Sequence, residues 1–214
     1  MTTSYEILEA LSWRYATKKF DPTKTLSQDD VAFLLETMRM APTSYGLQPW
    51  KAFVVTNPEL RQKLLPVSYN QPKVVDASHF VVIAVPTTID SSYIDRYLEF
   101  TAKTREVKVS ELTEFGSMMK GFIKGKTSEE LRQWAARQAY IALGFLLEST
   151  ALCRIDACPM EGFIPQRVDE ILNLSSKGYA SVVACALGTR AADDAFMKLK
   201  KVRYPTDVMF ELME

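Results

Sequence analysis

Two runs of cations stand near opposite ends of the chain, and their side chains suit a phosphate. The first is Arg14-Tyr15-Ala16-Thr17-Lys18-Lys19-Phe20-Asp21, with three cations inside six residues; the second is Lys198-Leu199-Lys200-Lys201-Val202-Arg203. A phosphate site often gathers cations from separated stretches of chain, each giving a charge-assisted hydrogen bond. Taken alone, either run is equally well a solvated face. The balance of 26 basic and 26 acidic residues leaves no net field to attract a nucleic-acid backbone, so any anion site must be local.

Three further segments carry the punctuation of a binding site. Ala41-Pro42-Thr43-Ser44-Tyr45-Gly46-Leu47-Gln48-Pro49-Trp50 stops a helix and offers hydroxyls, a glycine and a proline, although a plain helix-to-strand loop would look the same. Cys158-Pro159-Met160-Glu161-Gly162-Phe163 runs a proline and a glycine past a short strand, as an ordinary turn would. In Tyr69-Asn70-Gln71-Pro72-Lys73-Val74-Val75-Asp76-Ala77-Ser78-His79, Asn70 and Lys73 taken singly read as surface residues and His79 as a structural histidine.

The sequence offers no defensible Cys–His or Ser–His–Asp arrangement, and one histidine is too few for a His-rich metal centre. A GxGxxG dinucleotide fingerprint is missing as well. The chemistry is therefore expected to come with a cofactor, with no side chain acting as nucleophile or acid–base catalyst and no metal.

The elements that must position these segments are readable from capping and periodicity. Ser27 with Asp30 marks a helix start, and Val31, Leu34, Leu35 and Met38 recur at helical spacing up to Pro42. Asn57-Pro58 opens another short helix, and Trp50–Val55 and Phe80–Pro86 read as strands. Thr127 with Glu130 forms a capping box before a long apolar-faced helix that reaches Leu152. The stretch from Ser91 to Gly125 reads as helical with a mobile end, and Tyr179–Leu187 as a buried strand ending at Gly188. With no linker and no repeat, the expectation is one α+β domain of helices around a short-stranded sheet.

Composition bounds the setting. A 214-residue chain with 47% hydrophobic and 24% charged residues fits a soluble globular protein. The first residues lack a secretory pattern, and the apolar run at Phe80–Pro86 is too short to span a bilayer. Cys153, Cys158 and Cys185 form no CxxC pair and sit among apolar neighbours, which points to core thiols and a reducing cytoplasm.

In their order and spacing, these segments resemble the nitroreductase family over essentially the whole chain. The family's Arg-x-Ser-x-Lys opening is matched by Arg14 and Lys18 around Thr17, with Ala16 where serine commonly stands and Tyr15 where some relatives have histidine. Its Pro-Ser-Ser-x-x-x-Gln-Pro-Trp block is matched by Pro42-Thr43-Ser44-Tyr45-Gly46-Leu47-Gln48-Pro49-Trp50, and its Asn-x-x-Lys pair by Asn70 and Lys73. Its Pro-x-Glu-Gly turn is matched by Pro159, Glu161 and Gly162, and its C-terminal Lys-x-Arg by Lys201 and Arg203.

The resemblance implies a three-layer α+β fold, with a short-stranded, mostly antiparallel sheet surrounded by helices. It implies a single domain over residues 1–214, paired in an intertwined homodimer in which the C-terminal tail reaches the partner. It implies FMN at the dimer interface and NAD(P)H as reductant. Arg14, Lys201 and Arg203 would neutralise the FMN phosphate, with Tyr15, Ala16 and Thr17 beside them and the serine hydroxyl lost at Ala16. Lys18 and Lys73 would lie beside the N1–C2=O edge of the flavin, and Asn70 would pair with its pyrimidine edge. The backbone of Glu161 and Gly162 would face N5 and O4, Pro159 and Met160 would pack on the ring, and Pro42, Thr43 and Ser44 would come from the other protomer.

The substrate and NAD(P)H space would be bordered by Lys18, Tyr45, Asn70, Lys73 and Phe122, with Met118 and Met119 on the same substrate-facing helix. The implied activity is ping-pong hydride transfer through flavin N5 to nitroaromatics, quinones or similar small planar acceptors. Two alternatives stand beside it: a dehalogenase or flavin-processing enzyme on the same fold, and a non-enzymatic nucleotide-binding module.

Overall fold

The capping residues start the helices they mark. Thr3 and Glu6 form a capping box on α1 (Ser4–Trp13), and Ser27 accepts the amide of Asp30 at the start of α2 (Gln28–Arg39). The protein is described by a computed structural model covering residues 3–213; Met1, Thr2 and Glu214, at the extremities of the expected domain, lie outside the described residues. The chain continues through β1 (Lys51–Val55), α3 (Pro58–Val67), α4 (Lys73–Asp76), β2 (His79–Pro86), α5 (Ser91–Arg105), α6 (Thr113–Lys124) and α7 (Ser128–Leu152). It ends with β3 (Asp156–Met160), α8 (Pro165–Leu172), β4 (Tyr179–Gly188) and α9 (Thr206–Met209). Asn57 caps α3 ahead of Pro58, and Thr127 with Glu130 caps α7, as the sequence predicts.

The four strands form one antiparallel sheet in the order β1-β2-β4-β3. The central strands are apolar on both faces because each face carries a core. Phe80, Val82 and Ala84 point to one side, against Leu64 of α3, Val74 of α4 and Val168 and Leu172 of α8. Val81, Ile83 and Val85 point to the other, against residues of α2, α5, α6 and α7. Helices therefore cover both faces of the sheet and make three layers. Each fully buried aliphatic or aromatic side chain adds about 1.5–3 kcal/mol of hydrophobic stabilisation, so these strands anchor the molecule. Helix α7 packs on α1, α2 and the sheet, the central place its apolar face predicts.

Three expectations are corrected. Pro159 lies within β3, not past it; the strand tolerates the missing N–H because β3 is an edge strand of the sheet. The stretch from Ser91 to Gly125 is two helices: α5 ends at Glu106 in the left-handed conformation (φ 55), and its amide bonds back to the Ala102 and Lys103 carbonyls. No glycine or asparagine marks that stop in the sequence. Cys153, just past α7, is exposed, whereas Cys158 and Cys185 are buried core thiols.

Candidate functional site

The two ends of the chain meet. Arg14 caps the C-terminus of α1, and the ammonium of Lys201 donates to its backbone carbonyl across 187 positions of sequence. Around this contact lies a cleft of about 590 Å³, walled on one side by Arg14, Tyr15, Ala16 and Lys18 and on the other by Phe196, Lys201 and Arg203. None of Arg14, Lys201 and Arg203 pairs with a carboxylate among the described residues. Arg14 Nε is buried with no hydrogen-bond partner. Burial, and then repulsion from Arg203, pushes the Arg14 guanidinium below its ordinary value. Burial, followed by Arg14 and Arg203, does the same to Lys201. Crowded cations with an orphaned donor are what a doubly charged phosphate would relieve, so the cleft fits the phosphate of FMN.

Two buried carboxylates absent from the sequence reading hold this cleft. Asp156, at the start of β3, accepts the backbone amide of Arg190 at 2.8 Å and its Nε at 2.6 Å. The Arg190 guanidinium lies 4.1 Å from the centre of the Trp13 ring and 4.6 Å from that of Tyr15. Asp194 accepts the Tyr15 hydroxyl at 2.8 Å and the amides of Lys18, Lys19 and Phe196 at 3.0, 3.2 and 3.0 Å. Burial works to raise the Asp194 pKa, but these donors outweigh it and hold the carboxyl below its usual range. The same hydrogen bond, with burial as the larger cause, pushes the Tyr15 phenol well above its usual value.

Thr17 takes a different place from the one expected. It is fully buried, with its hydroxyl toward Asp156 (3.4 Å) and its amide on the Ala157 carbonyl (3.3 Å), so it supports the cleft from behind. Ala16 forms a bridge with Ala157 and so ties this segment to β3. Lys18 is exposed at the cleft, with its ammonium 5.6 Å from the centre of the Phe196 ring.

At the other end of β3, the Tyr69–Lys73 segment and the Glu161–Gly162 turn come together. Gln71 Nε2 donates to the Gly162 carbonyl at 2.7 Å, and a Cβ at Gly162 would sit 2.9 Å from that nitrogen, so only glycine fits there without displacing it. Asn70 is exposed and Lys73 is buried (8% exposed) at the first position of α4. Met160 is buried in the core behind this turn, and Pro159 is half-buried. The Tyr140 hydroxyl donates to the Glu161 carboxylate; burial first, then Glu161, pushes the phenol up to about 12.

Pro42, Thr43 and Ser44 do not line the cleft of their own chain. Ser44 instead donates its amide to Gln138 of α7 at 2.9 Å, and Thr43 Oγ1 accepts the Gln48 amide at 2.9 Å. The next residue, Tyr45, packs its ring 5.3 Å from Phe122 of α6, which lies 5.3 Å from Trp134 of α7. The Tyr97 hydroxyl of α5 donates to the Tyr45 carbonyl at 3.1 Å. Tyr45, Gln48, Tyr69 and Asn70 all have left-handed backbones, at φ 59, 43, 55 and 53. Such non-glycine residues cost on the order of 1–3 kcal/mol each and concentrate at functional sites. The described residues contain no group of His, Cys, Asp and Glu arranged to hold a metal ion.

Known proteins match both the sequence and this architecture. The profile of the nitroreductase family matches residues 11–189. A protein of Staphylococcus haemolyticus that carries the provisional name NAD(P)H nitroreductase is 36% identical over 213 residues, covering 96% of each chain. The chain belongs to the nitroreductase family.

Membership makes it an oxidoreductase. The nitroreductase fold is equally clear in three dimensions. A crystal structure from Bacillus subtilis described as the nitroreductase ydfN superposes with a TM-score of 0.87 at 20% identity, covering 99% of this chain and all of that one. A nitroreductase structure from Exiguobacterium sibiricum, in complex with FMN, gives 0.82 at 18% identity, with 100% and 98% covered.

Proposed function

We propose that this nitroreductase-family chain is an FMN-dependent NAD(P)H oxidoreductase that reduces nitroaromatics, quinones or related small planar acceptors, and that it works as a homodimer. The observation that carries this reading is the convergence of Arg14, Lys201 and Arg203, from opposite ends of the chain, on one cleft with no carboxylate partner. FMN, held by these residues, would supply the redox chemistry, a ping-pong hydride transfer from NAD(P)H to the acceptor. Lys18 and Lys73 would supply positive charge for the flavin edge that gains electron density, an electrostatic contribution to reduction. Asn70 offers a donor and an acceptor to the pyrimidine edge. Gly162 keeps the backbone beside it free of a Cβ, so Glu161 and Gly162 can approach N5 and O4 closely. Tyr45 and Phe122 form an aromatic wall that suits planar acceptors and the nicotinamide ring.

The dimer is supported by apolar side chains the single chain leaves in the open. Tyr5 and Leu8 of α1, Tyr140, Ile141 and Phe145 of α7, and Val208, Phe210 and Leu212 of the tail are all exposed. Exposed apolar side chains in such number suit an interface. A second copy would cover them, and the Pro42–Ser44 loop would then be available to the partner's flavin. No helix among the described residues is long and apolar enough to cross a membrane. Free cysteines support a reducing, cytoplasmic setting.

The test is the absorbance spectrum and elution volume of the purified protein, followed by anaerobic addition of NADH or NADPH. A yellow dimer whose flavin band bleaches, and which then turns over nitrofurazone or menadione, is the expected result. Turnover of halotyrosines alone, or a colourless monomer that ignores added FMN, would overturn it.

A further inference from the structure

Asp194 is 3% exposed and pairs with no cation among the described residues: the nearby Lys19 ammonium pairs with Asp193 instead. Its two oxygens are filled by three donors from a remote stretch of chain and one from two residues further along its own. Oδ2 takes the Tyr15 hydroxyl and the amides of Lys18 and Lys19, all within five residues of Arg14; Oδ1 takes the amide of Phe196, where the tail turns toward Lys201 and Arg203. The two stretches are the two walls of the cationic cleft. Arg14, Lys201 and Arg203 repel one another across the cleft. A buried carboxylate that gathers donors from both walls opposes that repulsion.

We infer that Asp194 is the positioning residue of the anion cleft, holding Arg14 against Lys201 and Arg203 so that a phosphate monoester meets a preorganised site. The inference rests on the FMN reading above. It also gives Tyr15 its place, because the hydroxyl is committed to Asp194 and acts through it. Preorganisation of this kind raises affinity by cutting the ordering that binding would otherwise require.

The experiment titrates flavin-stripped, full-length protein with FMN and with riboflavin, which lacks the phosphate, in wild type, Asp194→Asn and Tyr15→Phe. In Asp194→Asn the amide places a donor where donors already converge. The expected result is a loss of FMN affinity of roughly tenfold or more in Asp194→Asn and a smaller one in Tyr15→Phe, with riboflavin affinity unchanged, as loss of charge-assisted contacts to one group implies. Equal losses for both ligands, or an FMN-to-riboflavin ratio equal to wild type in the folded variants, overturns the positioning role. If Asp194→Asn does not fold, Tyr15→Phe decides by the same ratio. A wild type that binds FMN no better than riboflavin defeats the phosphate reading of the cleft, and the role of Asp194 falls with it.

Discussion

The ammonium of Lys201 rests on the backbone carbonyl of Arg14, so the last helical turn of α1 and the C-terminal tail form one unit. Residues that are remote in sequence thus share one electrostatic task.

The roles proposed for the cations differ and can be separated. Arg203→Ala should lower FMN retention by roughly tenfold or more, because it removes a charge-assisted partner of the phosphate. Lys18→Ala should leave most flavin bound and make the flavin harder to reduce. Flavin content after gel filtration and a redox titration measure the two; equal content and equal potential in both variants would contradict the assignment.

Lys201 gives the cleft an alkaline signature. Its folded-state pKa lies below the ordinary 10.5, so the folded protein holds its proton less tightly than the unfolded chain. Stability of the flavin-free protein should therefore rise with pH between the depressed value and 10.5. Anion binding needs the charged form, so in that window FMN binding should take up a proton and weaken as pH rises. Calorimetry in buffers of differing ionisation heat should detect the uptake in wild type and lose it in Lys201→Ala.

Asp194 gives an acid signature whose slope has the same sign, at the other end of the pH range. Its folded pKa is held below 3.8, so its contribution is complete above 3.8 and is lost as pH falls through the folded value. Asp194→Asn should cost about 1–3 kcal/mol by leaving buried donors poorly matched. It should also flatten this part of the acid limb, and chemical denaturation across pH would show a persistent acid step if another group were responsible.

Gly46 is fixed twice over. Its φ is +70, and a Cβ there would lie 2.5 Å from the Tyr97 hydroxyl oxygen. Gly46→Ala should destabilise by about 1–3 kcal/mol. Adding Tyr97→Phe removes the colliding oxygen, so the glycine substitution should cost less in that background. Denaturation midpoints of the four proteins in this cycle check the coupling, and strict additivity would refute it.

If α7 lies in the proposed dimer interface, a charge on its exposed face should separate the subunits. Phe145→Glu places a carboxylate on a residue 37% exposed in the single chain, so the fold should survive while the protein elutes as a monomer and loses flavin. An intact yellow dimer would locate the interface elsewhere.

Much of this architecture is legible from local signals. The boundaries of α2, α3, α7 and the apolar central strands follow from side chains that act within one turn or one strand, such as Ser27, Asn57 and Thr127. The break after Arg105 escaped because Glu106 takes a left-handed conformation without the glycine that usually announces it. Pro159 looked like the end of a strand because its tolerance depends on strand order, which no local pattern contains.

The site divides the same way. Arg14, Lys201 and Arg203 could be proposed because each is a cation in a recognisable spacing, but their meeting is a tertiary fact. Asp156 and Asp194 were invisible because a single acidic residue looks solvated until remote donors converge on it. The pairing of Ser44 with Gln138 and of Tyr45 with Phe122 depends likewise on how α6 and α7 pack, and no spacing in the sequence encodes it.

The arrangement of β3 also sets a direction for growth. Ala16 already sits along its outer side through Ala157, and Pro159 contributes no amide hydrogen there, so another polypeptide finds little to zip onto. The opposite border, β1, keeps an unbroken row of peptide groups outside its pairing with β2. Any strand donated by a neighbouring molecule, whether in ordered assembly or in misassociation under stress, is steered to that one side.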